Sequence, residues 1–326
     1  MAKIKLKYLN GDRILNLTST SDFLLHEFSE VRELQILHSF AFLTLYLTTM
    51  IGNLLIITLV VLDCNLHTPM YFFLMNLALM DMGTISAIVP KSMVNSLMST
   101  QLISYSGCVA QVFLFMFFDA TDLAILTIMA HDRYVAICNP LHYEAIMNKG
   151  ACIQMASCAW ISGVLCGVIH TTGTFAISFC SNVVDQFFCE IPKLLKLYCT
   201  DLYIIEVGLL VLGSSAGFGC FIFIITTYVS IFTVVLRIPS VQGRQKALST
   251  CLPHIIVVSV LMFTGLFAYT KPPRNSSSDL NLSLAVIYSI FLPMLNPFIY
   301  NMRNKEIQTA LWNLLHRRSF SKKLLL

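Results

Sequence analysis

Charge is scarce in this chain: Asp, Glu, Lys and Arg make up 12% of its 326 residues, against about 25% in soluble domains. That excludes an ordinary water-soluble domain, and no nucleic-acid partner is expected. Catalytic signatures are missing as well. There is no His-Glu-x-x-His, no phosphate-binding Gly-x-x-x-x-Gly-Lys and no nucleophile with an evident base, so enzymatic activity is not expected. The basic start (Lys3, Lys5, Lys7) is not expected to be a signal peptide, because no apolar core follows it before Asp22. Repeated halves and matched pairs of Gly/Pro-broken spans are absent too, which argues against a transporter. No cysteine follows Cys251, so the C-terminal segment offers no thiol for acylation.

What the chain has in abundance is apolar surface, 56% of residues. Stretches of the ~20 residues needed to cross a bilayer core recur along it. Spans are read at Gln35–Leu62, Pro69–Val89, Cys108–Arg133, Ala151–Thr171, Tyr203–Arg237, Gln245–Tyr269 and Leu282–Tyr300. The fold class expected is therefore all-α, a seven-transmembrane helix bundle. Its parts are a tail (1–34), one membrane domain (35–303), and an interfacial helix with a tail (304–326). Beyond Arg303, Ile307, Ala310, Leu311, Leu314 and Leu315 make an apolar stripe beside Lys305, Glu306 and Arg318. That pattern predicts a short amphipathic eighth helix lying on membrane lipid.

Lys and Arg near the spans set orientation. With the N-terminus outside, eleven fall on the inner side and ten on the outer. Four of those ten lie in the first thirteen residues, far from the membrane, and setting them aside leaves eleven against six. The plasma membrane with an extracellular N-terminus is the expected placement, and Asn16-Leu17-Thr18 would then be a glycosylation acceptor. Cys108, Cys180, Cys189 and Cys199 fall on the outer side, where disulfides form; four cysteines allow three pairings. Cys251 and His254 have a helical metal-pair spacing, but small polar packing residues in a helix are the expected reading.

The third span carries Asp119 and Asp122 and ends in Asp132-Arg133-Tyr134. Ionisable residues inside a span are costly, about 2.5–3.5 kcal/mol for a central acid, and so point to function. Cys108, Phe115, Asp119, Asp122, Leu126, Met129 and Arg133 recur at three or four residues and share one face. At 1.5 Å per residue, Asp119 lies roughly 21 Å and Asp122 about 17 Å from Arg133. One face thus joins an outer cysteine, two acids and a charged inner end. Around Asp119 the wall is apolar (Val112, Phe113, Phe115, Met116), the make-up of a small-ligand site with one polar anchor.

Several runs closely resemble odorant receptors, a family of rhodopsin-like G-protein-coupled receptors. Met129-Ala-His-Asp-Arg-Tyr-Val-Ala-Ile-Cys-Asn-Pro-Leu-His-Tyr143 is similar to the inner end of their third helix. Gly52-Asn53, Leu66-His-Thr-Pro-Met-Tyr-Phe-Phe-Leu74 with Asp81, the three loop cysteines, Lys246-Ala-Leu-Ser-Thr-Cys251 with His254, and Pro293-Met-Leu-Asn-Pro-Phe-Ile-Tyr300 with Arg303-Asn304 follow in the family's order. The resemblance implies disulfides Cys108–Cys189 and Cys180–Cys199. It implies a coupling network of Asn53, Asp81, Asp122 and Asn296. Asp81 and Asp122 would offer oxygen ligands for a small cation such as Na⁺; a protonated acid–acid or acid–amide contact gluing helices is the plainer alternative. Asp132, Arg133, Tyr134, Tyr228, Lys246 and Tyr300 would form a G-protein switch, with Arg133 held at rest by Asp132 or another partner.

By the same resemblance the ligand pocket would hold Phe115, Met116, Asp119, Ala120, Ile191, Leu212, Met262, Tyr269 and Ser289. The partners implied are a small volatile odorant and a stimulatory, olfactory-type G protein. Departures from the family pattern exist. His131 replaces a usual Tyr and has no assigned role, and Thr227-Tyr228 replaces Ser-Tyr. Leu261-Met262-Phe263 replaces Phe-Tyr-Gly. Phe115 stands where amine receptors keep an Asp, and Ile290 where opsins keep their retinal lysine. The rival readings are the same fold sensing chemicals outside the nose and, against the Asp-Arg-Tyr motif, an ion-conducting or transport protein.

Overall fold

The computed structural model describes residues 22–29, 31–199, 204–237, 239–270, 278–303 and 305–323. Asn16 lies outside them, as do the side chains of Lys246, Tyr269 and Tyr300. The chain folds as a helical bundle: α1 (Arg32–Leu62), α2 (Pro69–Met98), α3 (Tyr105–Cys138), α4 (Lys149–Phe175), α5 (Ile204–Leu236) and α6 (Val241–Thr270). The seventh span is composite. α7 (Ser278–Val286) passes through a π-helical turn, Ile287–Phe291, into α8 (Leu292–Arg303), and α9 (Lys305–Lys323) follows.

Local chemistry explains the boundaries. Pro69 opens α2 at a position where its missing N–H costs nothing. Ser104 caps α3 by accepting from Gly107 N at 3.1 Å, and Asn148 caps α4 by accepting from Ala151 N at 3.0 Å. α2 ends at Ser99, which takes the left-handed conformation (φ 52°). Five helices, α1 to α5, carry apolar windows long enough to cross a membrane among the described residues, and α6 and the α7–α8 span contain shorter ones, His254–Gly265 and Leu282–Pro297. Hydropathy finds only the lipid-facing length. α2 continues through Pro90 to Met98 and α3 to Cys138, past the edges expected from composition.

The core is continuous along α2 and α3, with Tyr71, Phe73, Leu77, Ile125 and Ala130 fully enclosed. Trp160 of α4 donates its indole N–H to Asn76 Oδ1 of α2 at 3.0 Å. At the end away from the disulfides, Ile307 and Ala310 of α9 are buried against the same core. The buried hydroxyl of Tyr71 donates to Glu306 Oε2 at 2.6 Å, fixing the start of α9 to α2.

The other end is closed by a sheet that hydropathy does not foretell. β1 (Asp22–Leu25), β2 (Leu102–Ser104) and β3 (Val183–Val184) stand in the order β2–β1–β3. β1 runs antiparallel to β2, with Phe23 opposite Ile103, and parallel to β3, with Leu24 opposite Val183. Phe23, Leu25, Ile103 and Val184 are buried around Cys108 and Cys189. The part of the N-terminal tail from Asp22 is thus woven into the bundle's lid.

Candidate ligand cavity and switch

Two disulfides frame the lid. Cys108 at the start of α3 bonds Cys189, and Cys180 bonds Cys199 within the long loop before α5, the pairing that the sequence resemblance implied. Cys189 is further fixed through its N–H, donated to Gln111 Oε1 of α3 at 2.8 Å.

Beneath this lid lies a cavity of about 390 Å³, counting the space open to solvent. Its wall takes Phe115, Asp119, Asp122 and Leu126 from α3, Leu77, Asp81 and Thr84 from α2, and Val257 and Leu261 from α6. Tyr288, Leu292, Pro293 and Asn296 of the seventh span complete it. The acids assigned from sequence to two separate sites, Asp119 to a ligand and Asp81 with Asp122 to an ion, therefore share one chamber. Asp119 is the accessible acid there, while Asp81 is buried and Asp122 half-buried.

The lower part of the chamber is polar and tightly wired. Asn296 Nδ2 donates to both Asp81 oxygens, at 3.0 and 3.1 Å. Asn53 Nδ2 donates to Pro293 O at 3.3 Å and Thr49 O at 3.1 Å, joining α1 to the seventh span. Thr84 Oγ1, Asp122 Oδ1 and Asn296 Oδ1 are enclosed without a hydrogen-bond partner. Three oxygens with no donor facing them suit a small hard cation or water.

The remaining sequence-predicted pocket residues lie elsewhere. Ile191 is buried in the disulfide cluster, and Met116 packs against both that cluster and the aromatic one beside it. Leu212 is 68% exposed on α5. Ser289 turns its hydroxyl back to Ala285 O. Ala120 and Met262 are half-buried and do not line the cavity. Leu261 and Tyr288 stand in the wall, each one residue before a predicted position. One residue is about 100° around a helix, so counting from motifs found the right helices at the wrong phase. At Tyr288 the π turn supplies the shift, and nothing in the sequence marks it.

The roof of the chamber is aromatic. Phe115 lies 5.5 Å from Phe188 and 6.2 Å from Tyr288 between ring centroids. The Tyr288 hydroxyl donates to Glu190 Oε1 at 2.6 Å, and Gln186 Nε2 donates to Glu190 Oε2 at 3.2 Å. Burial pushes the Glu190 carboxyl above its ordinary range, opposed by those hydrogen bonds and by Lys193 and Lys196. Sequence reasoning missed Glu190 because an acid beside a loop cysteine reads as solvated.

At the opposite end, Asp132 is buried and accepts the Tyr143 hydroxyl at 2.7 Å. Among the described residues Arg133 has no ion pair within 4.0 Å, and its Nη2 is enclosed without a hydrogen bond. Asp132 is therefore engaged by the short helix Tyr143–Ile146 rather than by Arg133. Burial, with Asp132 beside it, pushes the Tyr143 hydroxyl up, so it remains the donor at neutral pH. Tyr134 packs half-buried on the core, and His131 is half-buried. Tyr228 of α5 is buried with its ring 5.5 Å from that of His254 on α6. His254 therefore serves the α5–α6 contact, and no group of three metal-binding side chains occurs among the described residues.

A seven-span bundle with a broken last span, a disulfide from the third helix to the following long loop, and an Asp-Arg-Tyr inner end defines a receptor of the rhodopsin fold. Squid rhodopsin superposes with a TM-score of 0.65 over 89% of each chain at 16% identity. A family model described as olfactory receptor matches residues 42–318. Human olfactory receptor 14C36 is 50% identical over 307 residues, covering 94% of this chain and 98% of that one. Human olfactory receptor 14A16 is 48% identical over 297 residues, 91% and 96% of the two chains. Gorilla olfactory receptor 1G1 is 45% identical over 301 residues, 92% and 96%. The chain belongs to the olfactory receptor family, multi-pass membrane receptors that are not enzymes.

Proposed function

We propose that this receptor binds a small, mostly hydrophobic volatile odorant in the chamber beneath the aromatic roof, with Asp119 as its polar anchor. The supporting observation is Asp119, the most exposed of the three acids lining the chamber, set among the apolar Phe115, Leu261 and Tyr288 of its wall. In this reading the disulfide lid faces outside at the plasma membrane, Asn16 carries glycan, and the Arg133 end faces the cytoplasm. There a stimulatory, olfactory-type heterotrimeric G protein inserts a helix into a cleft opened beside Arg133, raising cAMP. Tyr134, Tyr228, Lys246 and Tyr300 border that cleft.

The test is a panel of alcohols, acids and amines read by a cAMP reporter, comparing the parent receptor with Asp119→Asn. The ranking of ligands is expected to change, with compounds that donate or carry positive charge losing about tenfold in potency, the scale of one charge-assisted hydrogen bond. An unchanged ranking rejects the anchor. Ligand-evoked current in place of cAMP would reject G-protein coupling.

The lower half of the same chamber supports a second role, an allosteric Na⁺ held by Asp81 and Asp122. Asn296 and Thr84 contribute the remaining enclosed oxygens. Asp122→Asn is expected to abolish the dependence of basal cAMP on Na⁺ when K⁺ replaces it at constant ionic strength. A sodium dependence that survives the substitution assigns the acids to helix packing instead.

A further inference from the structure

A second cavity lies in the lid, outside the first. It measures about 380 Å³, counting the space open to solvent, and is lined by Phe28, Gln35, His38, Ser92, Asn95 and Phe187, among others. Adjacent residues of one loop reach toward the two chambers. Phe187 faces the outer chamber, Phe188 packs on Phe115 of the inner wall, and the two rings lie 4.9 Å apart.

The loop carrying these rings is held on several sides. Cys189 is covalently fixed to α3 and donates its N–H to Gln111, Gln186 O accepts from His26 N at 2.9 Å, the Phe187 ring packs on Phe28 and Phe42, Ser92 Oγ donates to Phe187 O at a long 3.4 Å, and the Tyr288–Glu190 hydrogen bond at 2.6 Å links the loop to the seventh span. Glu190 is 4% exposed and immediately follows the disulfide cysteine. Tyr288 has its ring in the inner chamber's wall and its hydroxyl in the loop. Its side chain thus belongs both to the wall and to the tether.

We propose that Glu190, acting through Tyr288, is a positioning residue that holds the Phe187–Phe188 partition shut and so limits which ligands enter the inner chamber. The inference rests on the inner chamber as the ligand site, and it adds the route and the size filter. Opening requires Tyr288 to leave Glu190, which frees the seventh span at its π turn. A bulky ligand demands a wider opening than a slim one, so the latch discriminates by cross-section rather than by chemistry.

The experiment needs no odorant. Thr84, on the inner wall, is replaced by cysteine, and methyl methanethiosulfonate, a small neutral thiol reagent, is applied outside intact cells. The labelling rate is corrected for the receptor lacking that cysteine. Tyr288→Phe keeps the ring and removes the donor; Glu190→Gln keeps an acceptor oxygen. Labelling is expected to be about tenfold faster with Tyr288→Phe, the effect of one hydrogen bond to a carboxylate on an opening equilibrium. Glu190→Gln keeps an acceptor but not the charge, so its rate should fall between those of the parent and Tyr288→Phe.

An unchanged rate in Tyr288→Phe at normal surface level overturns the proposal, because the reagent then enters elsewhere, for example between helices. Should Tyr288→Phe fail to reach the surface, Glu190→Ala is measured in its place. Loss of both from the surface makes the contact a folding element and also overturns the positioning role. Faster labelling together with an unaltered Asp119→Asn ligand ranking would keep the latch and reject the anchor, so the two readings fail separately.

Discussion

Receptors carrying Cys108→Ser or Cys189→Ser will disappear from the cell surface, whereas Cys180→Ser will leave a reduced but measurable fraction. The first disulfide closes a loop of sequence separation 81, the second one of 19. On loop-entropy arithmetic these are worth about 4.5 and about 3.2 kcal/mol. Both figures are upper bounds here, since spans already inserted in lipid remain helical when the lid is lost. Their order survives that correction. A whole domain has only about 5–15 kcal/mol to spare.

Geometry widens the gap between the two bonds. Cys108 and Cys189 sit at the centre of the buried lid cluster, with Phe23, Leu25, Ile103 and Val184 around them. Without the bond, the Gln111–Cys189 hydrogen bond and the Glu190–Tyr288 tether lose their fixed starting point. Cys180–Cys199 instead staples a peripheral hairpin already held by Cys180 N donating to Leu197 O at 2.7 Å. Antibody staining of intact cells against total receptor measures the outcome. Equal surface fractions for the two classes of variant would refute the ranking.

Much of this molecule could be read before its coordinates, and what could not has physical causes. The seven spans follow from the length of apolar runs, and the disulfide partners follow from motifs in family order. The three-stranded lid does not. Its strands are four, three and two residues long, drawn from segments far apart in the chain, and pairing so short leaves no period-two signature. The cavity was half legible: helical spacing puts Phe115, Asp119, Asp122 and Leu126 on one face of α3, the face that lines it, although the two acids were read as belonging to separate sites. The opposing wall depends on the phases of α6 and the seventh span. There a π turn at Ile287–Phe291 rotates Tyr288 inward, an event that no local propensity announces. Asp132 shows a different limit. Its sequence neighbour Arg133 is the obvious partner, yet adjacent residues on a helix point about 100° apart, and Tyr143 from the next turn of chain fills the position instead.

Gly163→Val will abolish folding of the bundle, and Gly163→Ala will lower surface receptor severalfold. Gly163 and Gly167 lie four residues apart on one face of α4, a small-x-x-x-small pattern that lets two helix backbones approach closely. α3 meets that face with Phe113 and Phe117, also four apart. A Cβ on Gly163 would lie 2.7 Å from the Phe117 carbonyl oxygen and 3.1 Å from its ring, and would collide with Thr121 Oγ1. The Thr121 hydroxyl could rotate away only by giving up its 2.7 Å bond to that same carbonyl. The backbone oxygen cannot move without shifting α3. At Gly167 the nearest backbone contact is looser, 3.0 Å to Phe113 O, so Gly167→Ala should be milder. Overpacking of this kind costs about 1–3 kcal/mol for a methyl and more for a branched side chain. Gly208 on α5 has nothing within 4 Å of its Cβ position, so Gly208→Ala should be silent and serves as the control. Thermal denaturation of detergent-solubilised receptor reads the series directly. A Gly163→Val receptor melting with the parent would mean that α3 and α4 do not meet at this seam. The shift must grow from Gly208→Ala through Gly167→Ala to Gly163→Ala, because it is set by how near a backbone atom, rather than a movable side chain, stands to the added carbon.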